Sequence, residues 1–308
     1  MKIKSLPEFT PEKVVLKDSR QVVLRSVKNR DIPQCLAIRK SVYGKPFEKA
    51  DWLWKYGPCC PYPHDVLVAE HNGQVVAIQA LLAFPFEVRE IKLPALSLLD
   101  LMVHPEWQGQ GIFRFIIQRI ERELLGLFPF IYTFPNQRSF YGFTQNFGWT
   151  PLLHPNLLMR LALPYRIDKN EQEEFLDKDR VGIIKEKEYI NWRYSRPGFK
   201  YVKISNQAVL ALMEYKGVKV KGGFAAEFPS GGSPYLLKKM ESKISPAPLT
   251  FLVNPSSSLF GFLKRKGFLT CINFFRRFNL IVKMNPGYKN LFAELYHWDL
   301  SFGDFDGL

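Results

Sequence analysis

Apolar positions along the 308-residue chain alternate in some stretches and recur every three or four residues in others. Val22-Val23-Leu24-Arg25, following Gln21, reads as a strand. Asp31-Ile32-Pro33-Gln34 opens a helix, with Asp31 as N-cap and Pro33 inside the first turn, where a missing N–H costs nothing. Two further strands, at 66–69 and 74–77, are joined across His71-Asn72-Gly73. Asn-Gly between apolar runs is a hairpin signal, because both residues tolerate positive φ. Residues 98–103 form a nearly wholly apolar strand that ends at Pro105 and runs into a glycine-bearing turn. From Phe113 to Leu125 apolar residues keep helical spacing, with Arg114, Gln118, Arg119, Glu121 and Arg122 between them. Residues 130–134 predict a strand, and 139–146 a helix that stops at Gly148.

The polar run Asp168-Lys169-Asn170-Glu171-Gln172-Glu173-Glu174 interrupts this order. It places a linker at 166–180, dividing an N-terminal lobe, 1–165, from a C-terminal lobe, 181–308. The second part echoes the first. Trp54-Lys55-Tyr56 with Pro58 is matched by Trp192-Arg193-Tyr194 with Pro197. The hairpin at Asn72-Gly73 is matched by Glu214-Tyr215-Lys216-Gly217, and Phe147-Gly148-Trp149 by Lys266-Gly267-Phe268. The shared order of these echoes points to a duplicated unit, each copy a mixed α+β layer arrangement.

Composition narrows the class. Hydrophobic residues make up 46% and charged residues 23%, which suits a globular core. No apolar run approaches the ~18–20 residues of a membrane span. Met1-Lys2-Ile3-Lys4 is basic but runs into Pro7, Glu8 and Thr10 without an apolar segment, so no signal peptide and a cytoplasmic location are expected. Cys35, Cys59, Cys60 and Cys271 include no C-x-x-C pair, so no metal site is expected and the thiols are expected to be reduced. The net charge of +14 attracts polyanions, including a phosphate-rich cofactor. The basic residues are scattered, densest at Lys264-Arg265-Lys266 with Arg276-Arg277 beyond, and nucleic acid is not the expected partner.

The informative stretch is Leu99-Asp100-Leu101-Met102-Val103-His104-Pro105-Glu106-Trp107-Gln108-Gly109-Gln110-Gly111-Ile112-Phe113. A strand ends, a glycine-bearing loop turns and a helix begins. A helix N-terminus exposes unpaired N–H groups and the positive end of its dipole, and glycines let backbone approach an anion closely. No Gly-Lys-Ser/Thr follows, and Arg114 stands where a dinucleotide fingerprint needs its third glycine.

This pattern resembles the GCN5-related N-acetyltransferase (GNAT) superfamily, whose signature is Gln/Arg-x-x-Gly-x-Gly/Ala after a strand ending Val-x-Pro. Val103, Pro105, Gln108 and Gly111 match, and Phe113 replaces the final Gly/Ala. The resemblance covers residues 20–155 and implies acetyl-CoA as co-substrate. It places the pantetheine beside Met102 and Val103, and the pyrophosphate on Gln108, Gly109, Gln110, Gly111, Phe113 and Arg114. It also adds Asn136 after the next strand, and the Gly148-Trp149 end of the following helix. The thiolate-protonating Tyr common in the family would fall at Phe143 or Thr144, so Tyr141 is the nearby candidate acid. The second half lacks the signature: Pro229-Ser230-Gly231-Gly232-Ser233-Pro234 offers glycines without Gln or Arg. The fold expected is two GNAT-like lobes, each a mixed, mostly antiparallel sheet flanked by helices, the second a degenerate copy.

Direct transfer needs a base for the amine and an acid for the thiolate. Asp100 is the candidate base, read as opposite in phase to Leu99, Leu101 and Val103, with a pKa raised if buried. His104 at the strand end, and Trp52, Trp54 and Tyr56 as an acceptor floor, are weaker candidates beside turn and core roles. The function expected is an acetyl-CoA-dependent N-acetyltransferase acting on the amine of a small molecule or peptide. The rivals are a tRNA-dependent aminoacyl transferase on the same frame, and a protein that binds acyl-CoA without turnover. The acceptor and the oligomeric state are left open.

Overall fold

The computed structural model describes residues 4–44, 47–162, 181–214, 221–229, 233–271 and 279–304. The linker expected at 166–180 and Arg276-Arg277 lie outside them. The chain opens with strands β1 (Glu12–Val15) and β2 (Gln21–Ser26), helices α1 (Ile32–Tyr43) and α2 (Lys49–Tyr56), then strands β3 (His64–His71), β4 (Gln74–Val88) and β5 (Ile91–Val103). Helix α3 (Ile112–Leu124), strand β6 (Phe130–Thr133), helix α4 (Gln137–Tyr141) and strands β7 (Thr150–Leu153) and β8 (Asn156–Ala162) follow. After the linker come β9 (Val181–Ile183), α5 (Lys187–Arg193), β10 (Lys200–Lys203), β11 (Val209–Glu214) and β12 (Lys221–Glu227). The last elements are α6 (Pro234–Ser242), β13 (Ala247–Val253), α7 (Ser258–Arg265), β14 (Leu269–Thr270), β15 (Leu280–Met284) and short 3-10 turns to Asp304.

The local readings hold where short-range geometry governs. Asn72 and Gly73 have φ of 49° and 83°, the positive pair a tight hairpin requires. Helix α1 carries its proline in the first turn. The helix expected at 139–146 begins earlier, at Gln137, and continues as a π-helical turn from Gly142 to Asn146 before Gly148 at φ 63°.

The strands form a nine-stranded sheet, β1-β2-β3-β4-β5-β6-β15-β7 with β9 against β4, and a six-stranded sheet, β10-β11-β12-β13-β8-β14. From β3 in one and β10 in the other, both run through the same series: two antiparallel pairs, one parallel pair (β5–β6, β12–β13), then two antiparallel pairs. The expected division at 165–181 does not follow the sheets. Strand β8 sits between β13 and β14, while β15 sits between β6 and β7 and β9 pairs with β4, so the first half lends one strand to the other's sheet and the second half lends two. A strand settles wherever both its edges find partners, and hydrophobic pattern alone does not say which sheet that is.

One apolar layer packs on each face of the large sheet. Val66, Phe84, Met102, Phe130 and Val282 join α2 and α5 on one face, while Leu67, Leu96, Leu98 and Ile281 join α3 on the other. The smaller sheet is covered by α6 and α7 through Leu237, Met240, Leu259 and Phe262.

Candidate active site

Strands β5 and β6 run parallel only at Leu96–Ile131, Ser97–Tyr132 and Leu98–Thr133. Beyond that they part. Thr133 closes the last step by donating from Oγ1 to Leu98 O at 2.8 Å, and Pro135, which has no N–H, carries the chain away to α4. Among the described residues, the edge of β5 facing β6 therefore lacks a strand partner from Leu99 to Val103. An extended ligand with amide groups can pair with such an edge as a strand would.

The parting coincides with a bulge. Ala80 pairs with Leu99 and Ile78 with Met102, so Gln79 faces both Asp100 and Leu101. Asp100 takes φ 47°, the left-handed value a bulge residue commonly adopts as glycine. For a non-glycine this costs about 1–2 kcal/mol. Gln79, buried at 1% exposure, donates from Nε2 to Ala80 O at 2.9 Å and to Leu99 O at 2.7 Å, pinning the bulge from the other strand. A glutamine inside the apolar run Ile78-Gln79-Ala80 is the sequence signal for this role, and the sequence reading passed over it. The bulge also breaks the expected phase. Leu99 packs with the layer that contains Met102, while Leu101 and Val103 pack with the opposite one.

Past Val103 the chain turns over Pro105-Glu106-Trp107 and enters α3. Gln108 donates from Nε2 to Val103 O at 3.0 Å, tying the loop back to the strand end. Trp107 is buried, with the Arg20 guanidinium 3.6 Å over its ring and His71 beside it. Gly109 and Gly111 have φ of 78° and 94°. A Cβ on Gly109 would meet nothing within 4 Å, and one on Gly111 only the Phe115 ring edge at 3.8 Å. The glycines serve conformation and leave open space above the loop. The amides of Gly109, Gln110, Gly111, Ile112, Phe113 and Arg114 donate to no group among the described residues. Gly111 caps α3 without a side-chain hydrogen bond. This is an anion cradle of backbone at a helix N-terminus. Phe113 does not intrude: its ring packs edge-on against Phe143 and Phe147 and lies over Gly142. Arg114 is exposed, free of the core.

The Asp100 side chain is 9% exposed, and its Oδ2 accepts from Tyr56 Oη at 2.5 Å and from Lys55 Nζ at 2.9 Å, with Arg39 Nη1 at 2.8 Å. Burial pushes this carboxyl up, but Lys55 and Arg39 outweigh it and hold the group far below the usual carboxylate range. The expectation of a raised pKa is therefore corrected. A carboxylate so firmly ionised is a weak proton acceptor at neutral pH. The partners lie on α1 and α2, and among them only Tyr56 and Lys55 belonged to a segment that had drawn attention.

Tyr141, on α4, is 67% exposed and makes no contact with Asp100 among the described residues. Asn136 caps α4, its Oδ1 accepting from Ser139 N at 3.0 Å. Trp52 packs edge-on against Tyr56 in the core. Burial pushes the Cys60 thiol up to about 12, which removes it as a nucleophile at neutral pH.

A second buried ionic cluster escaped the sequence reading. Lys185 Nζ donates at 2.8 Å to each of Glu227 Oε2, Ser301 Oγ and Asp304 Oδ2, and Tyr194 donates to Glu227 Oε1 at 2.6 Å. Tyr194 belongs to the Trp192-Arg193-Tyr194 triplet, but Lys185, Glu227, Ser301 and Asp304 are scattered along the second half and carry no motif.

Residues 23–152 match the family model described as an acetyltransferase (GNAT) domain. No curated protein matches the chain in sequence. Among solved structures the chain is similar to a probable N-acyltransferase of unknown function from Enterococcus faecalis V583, at 8% identity and a TM-score of 0.61 over 87% of this chain and 73% of that one. It is similar to a GCN5-related N-acetyltransferase from Anabaena variabilis, at 10% identity and 0.60 over 86% and 73%. Another such enzyme, from Kribbella flavida, is 13% identical, with 0.55 over 85% and 71%. At these identities the likeness is one of fold. Residues 23–152 thus match a GNAT domain model, within a mixed α/β fold that extends well beyond them and is shared with these structures.

Proposed function

We propose that the chain is an N-acetyltransferase that takes acetyl-CoA as co-substrate and acylates the amine of a small molecule or peptide. The observation that supports this most is the junction of the unpaired β5 edge with the amide cradle at 109–114. The edge offers hydrogen-bonding groups to a pantetheine arm, and the cradle offers unpaired N–H groups to a pyrophosphate. In the transfer, the amine nitrogen bonds to the thioester carbonyl carbon, the carbon–sulfur bond breaks, and the nitrogen's proton ends on the departing thiol. A backbone N–H of β5 near Val103 would stabilise the oxyanion. Asp100 fits a positioning role: it anchors α1 and α2 to the bulge.

The shared strand series of the two sheets supports a tandem frame with exchanged strands. Only the first copy carries Gln108-x-x-Gly111, so one acetyl-CoA per chain is expected. Titration calorimetry with acetyl-CoA tests the cradle, and thiol release over a panel of amines tests turnover. Binding without thiol release from any amine would favour the rival reading, an acyl-CoA-binding protein. Phe143 and Thr144, the two places where the family's acid Tyr would fall, carry no phenol, which supports that rival.

A further inference from the structure

A cavity of ≈ 20 Å³ lies between the large sheet and the C-terminal turn, against Ser97 and Leu99 of β5, Trp54 and Lys55 of α2, Trp192 of α5, and Asp304. Asp304 is 1% exposed. Its Oδ2 is fully engaged, accepting from Lys185 Nζ and Ser301 N, both at 2.8 Å. Its Oδ1 is buried and has no hydrogen-bond partner among the described residues. A buried carboxylate oxygen without a donor is costly, on the order of 1–3 kcal/mol, so a group that donates to it is strongly favoured.

We propose that this cavity is the head-group subsite for the acceptor, and that it receives a primary amine whose N–H donates to Asp304 Oδ1. The inference rests on the acetyl-transfer reading, and it supplies the location and chemistry that reading leaves open. Size fits: the volume holds about one water-sized group, which an amino group matches. Position fits: Leu99 is the last β5 residue before the bulge, where the unpaired edge begins, so an amine here stands beside the strand proposed to carry the thioester. Chemistry fits as well. The aromatic walls Trp54 and Trp192 suit the carbon next to the nitrogen. Of the nearby cations, Lys55 is held by Asp100 and Lys185 by Asp304 itself, while Arg193 donates through Nε to Gly303 O at 3.1 Å. An anionic head group would instead face Asp304 with no hydrogen to donate.

Two measurements test this, with methylamine, ethanolamine and 1,4-diaminobutane as amines and ethylene glycol as the hydroxyl control. In thiol release from acetyl-CoA, Asp304→Asn should raise KM for the amine about tenfold or more while KM for acetyl-CoA stays unchanged. Because Asp304 also pairs with Lys185, a second variant guards against misfolding. Ile183→Phe fills the cavity from its far wall and should raise the amine KM likewise. In the absence of acetyl-CoA, amines but not the glycol should change Trp54 and Trp192 fluorescence saturably, and both variants should abolish the change. If amines bind this way yet none releases thiol, the subsite stands and the acetyl-transfer reading falls. If thiol is released and neither well-folded variant alters amine KM, the cavity holds only water and the subsite falls.

Discussion

Trp54 and Trp192 donate to each other's backbone: Trp54 Nε1 to Trp192 O at 2.7 Å, and Trp192 Nε1 to Trp54 O at 2.9 Å, with their rings stacked at 5.6 Å. The tyrosines two residues on continue the correspondence. Tyr56 donates to Asp100 in β5, and Tyr194 to Glu227 at the end of β12. The two matching triplets in the sequence thus meet face to face, and through them α2 and α5 lock the two parts of the chain together.

Trp192→Phe keeps a ring but removes one N–H and leaves Trp54 O without its donor. A loss of about 1–3 kcal/mol in stability is expected. Trp54→Phe should cost less, because Trp192 O keeps Ser195 N and Oγ as donors, and the double variant should lose about the sum, because each substitution removes a separate bond to a backbone oxygen that the other leaves in place. Denaturant midpoints of the three variants decide, and a double-variant loss well below the sum would mean that the two bonds are coupled through the stacked rings.

Asp100→Asn removes the anion that faces buried Lys55 and half-buried Arg39, so a loss of up to about 3–5 kcal/mol is expected at pH 7. The pH dependence has a definite sign. The folded-state pKa of Asp100 is depressed, so its contribution is complete above the unfolded value of about 3.9 and is lost as pH falls below it. Melting temperatures between pH 7 and pH 3 should therefore fall more steeply below pH 4 for the wild type than for Asp100→Asn. Parallel curves would mean that Asp100 is not held as an ion.

Gly111→Asp should abolish acetyl-CoA binding by placing bulk and a negative charge beside the cradle amides. Gly111→Ala is the control: at φ 94° it costs about 1–2 kcal/mol of stability but adds no charge, so weak binding should persist. Calorimetry on both separates strain from repulsion. Wild-type affinity in a folded Gly111→Asp protein would move the cofactor elsewhere.

Phe113→Ala should cost about 2 kcal/mol, less than the 3–5 of a fully buried Phe, because the ring is half-buried against Phe143 and Phe147. Acetyl-CoA affinity should change little, since backbone rather than the ring faces the cradle. A large loss of affinity with an unchanged melting temperature would assign the ring to the ligand instead.

Legible along the chain were the strand–loop–helix at 98–125, the Asn72-Gly73 hairpin and the mutual likeness of the Trp54 and Trp192 triplets. These rest on interactions within a few residues, or on repetition, and both are visible along a line. Tertiary structure alone decided the rest. Strands β8 and β15 cross into each other's sheets because pairing satisfies backbone groups without regard to chain distance. Asp100 is an ion rather than a buried acid because α1 and α2 deliver two cations to it, an outcome that burial alone predicts with the wrong sign. Asp304 lines one cavity with Ser97, Leu99 and Trp54 only because the turn at Phe302–Asp304 comes back to the first sheet, and no local pattern records where a distant segment will come to rest.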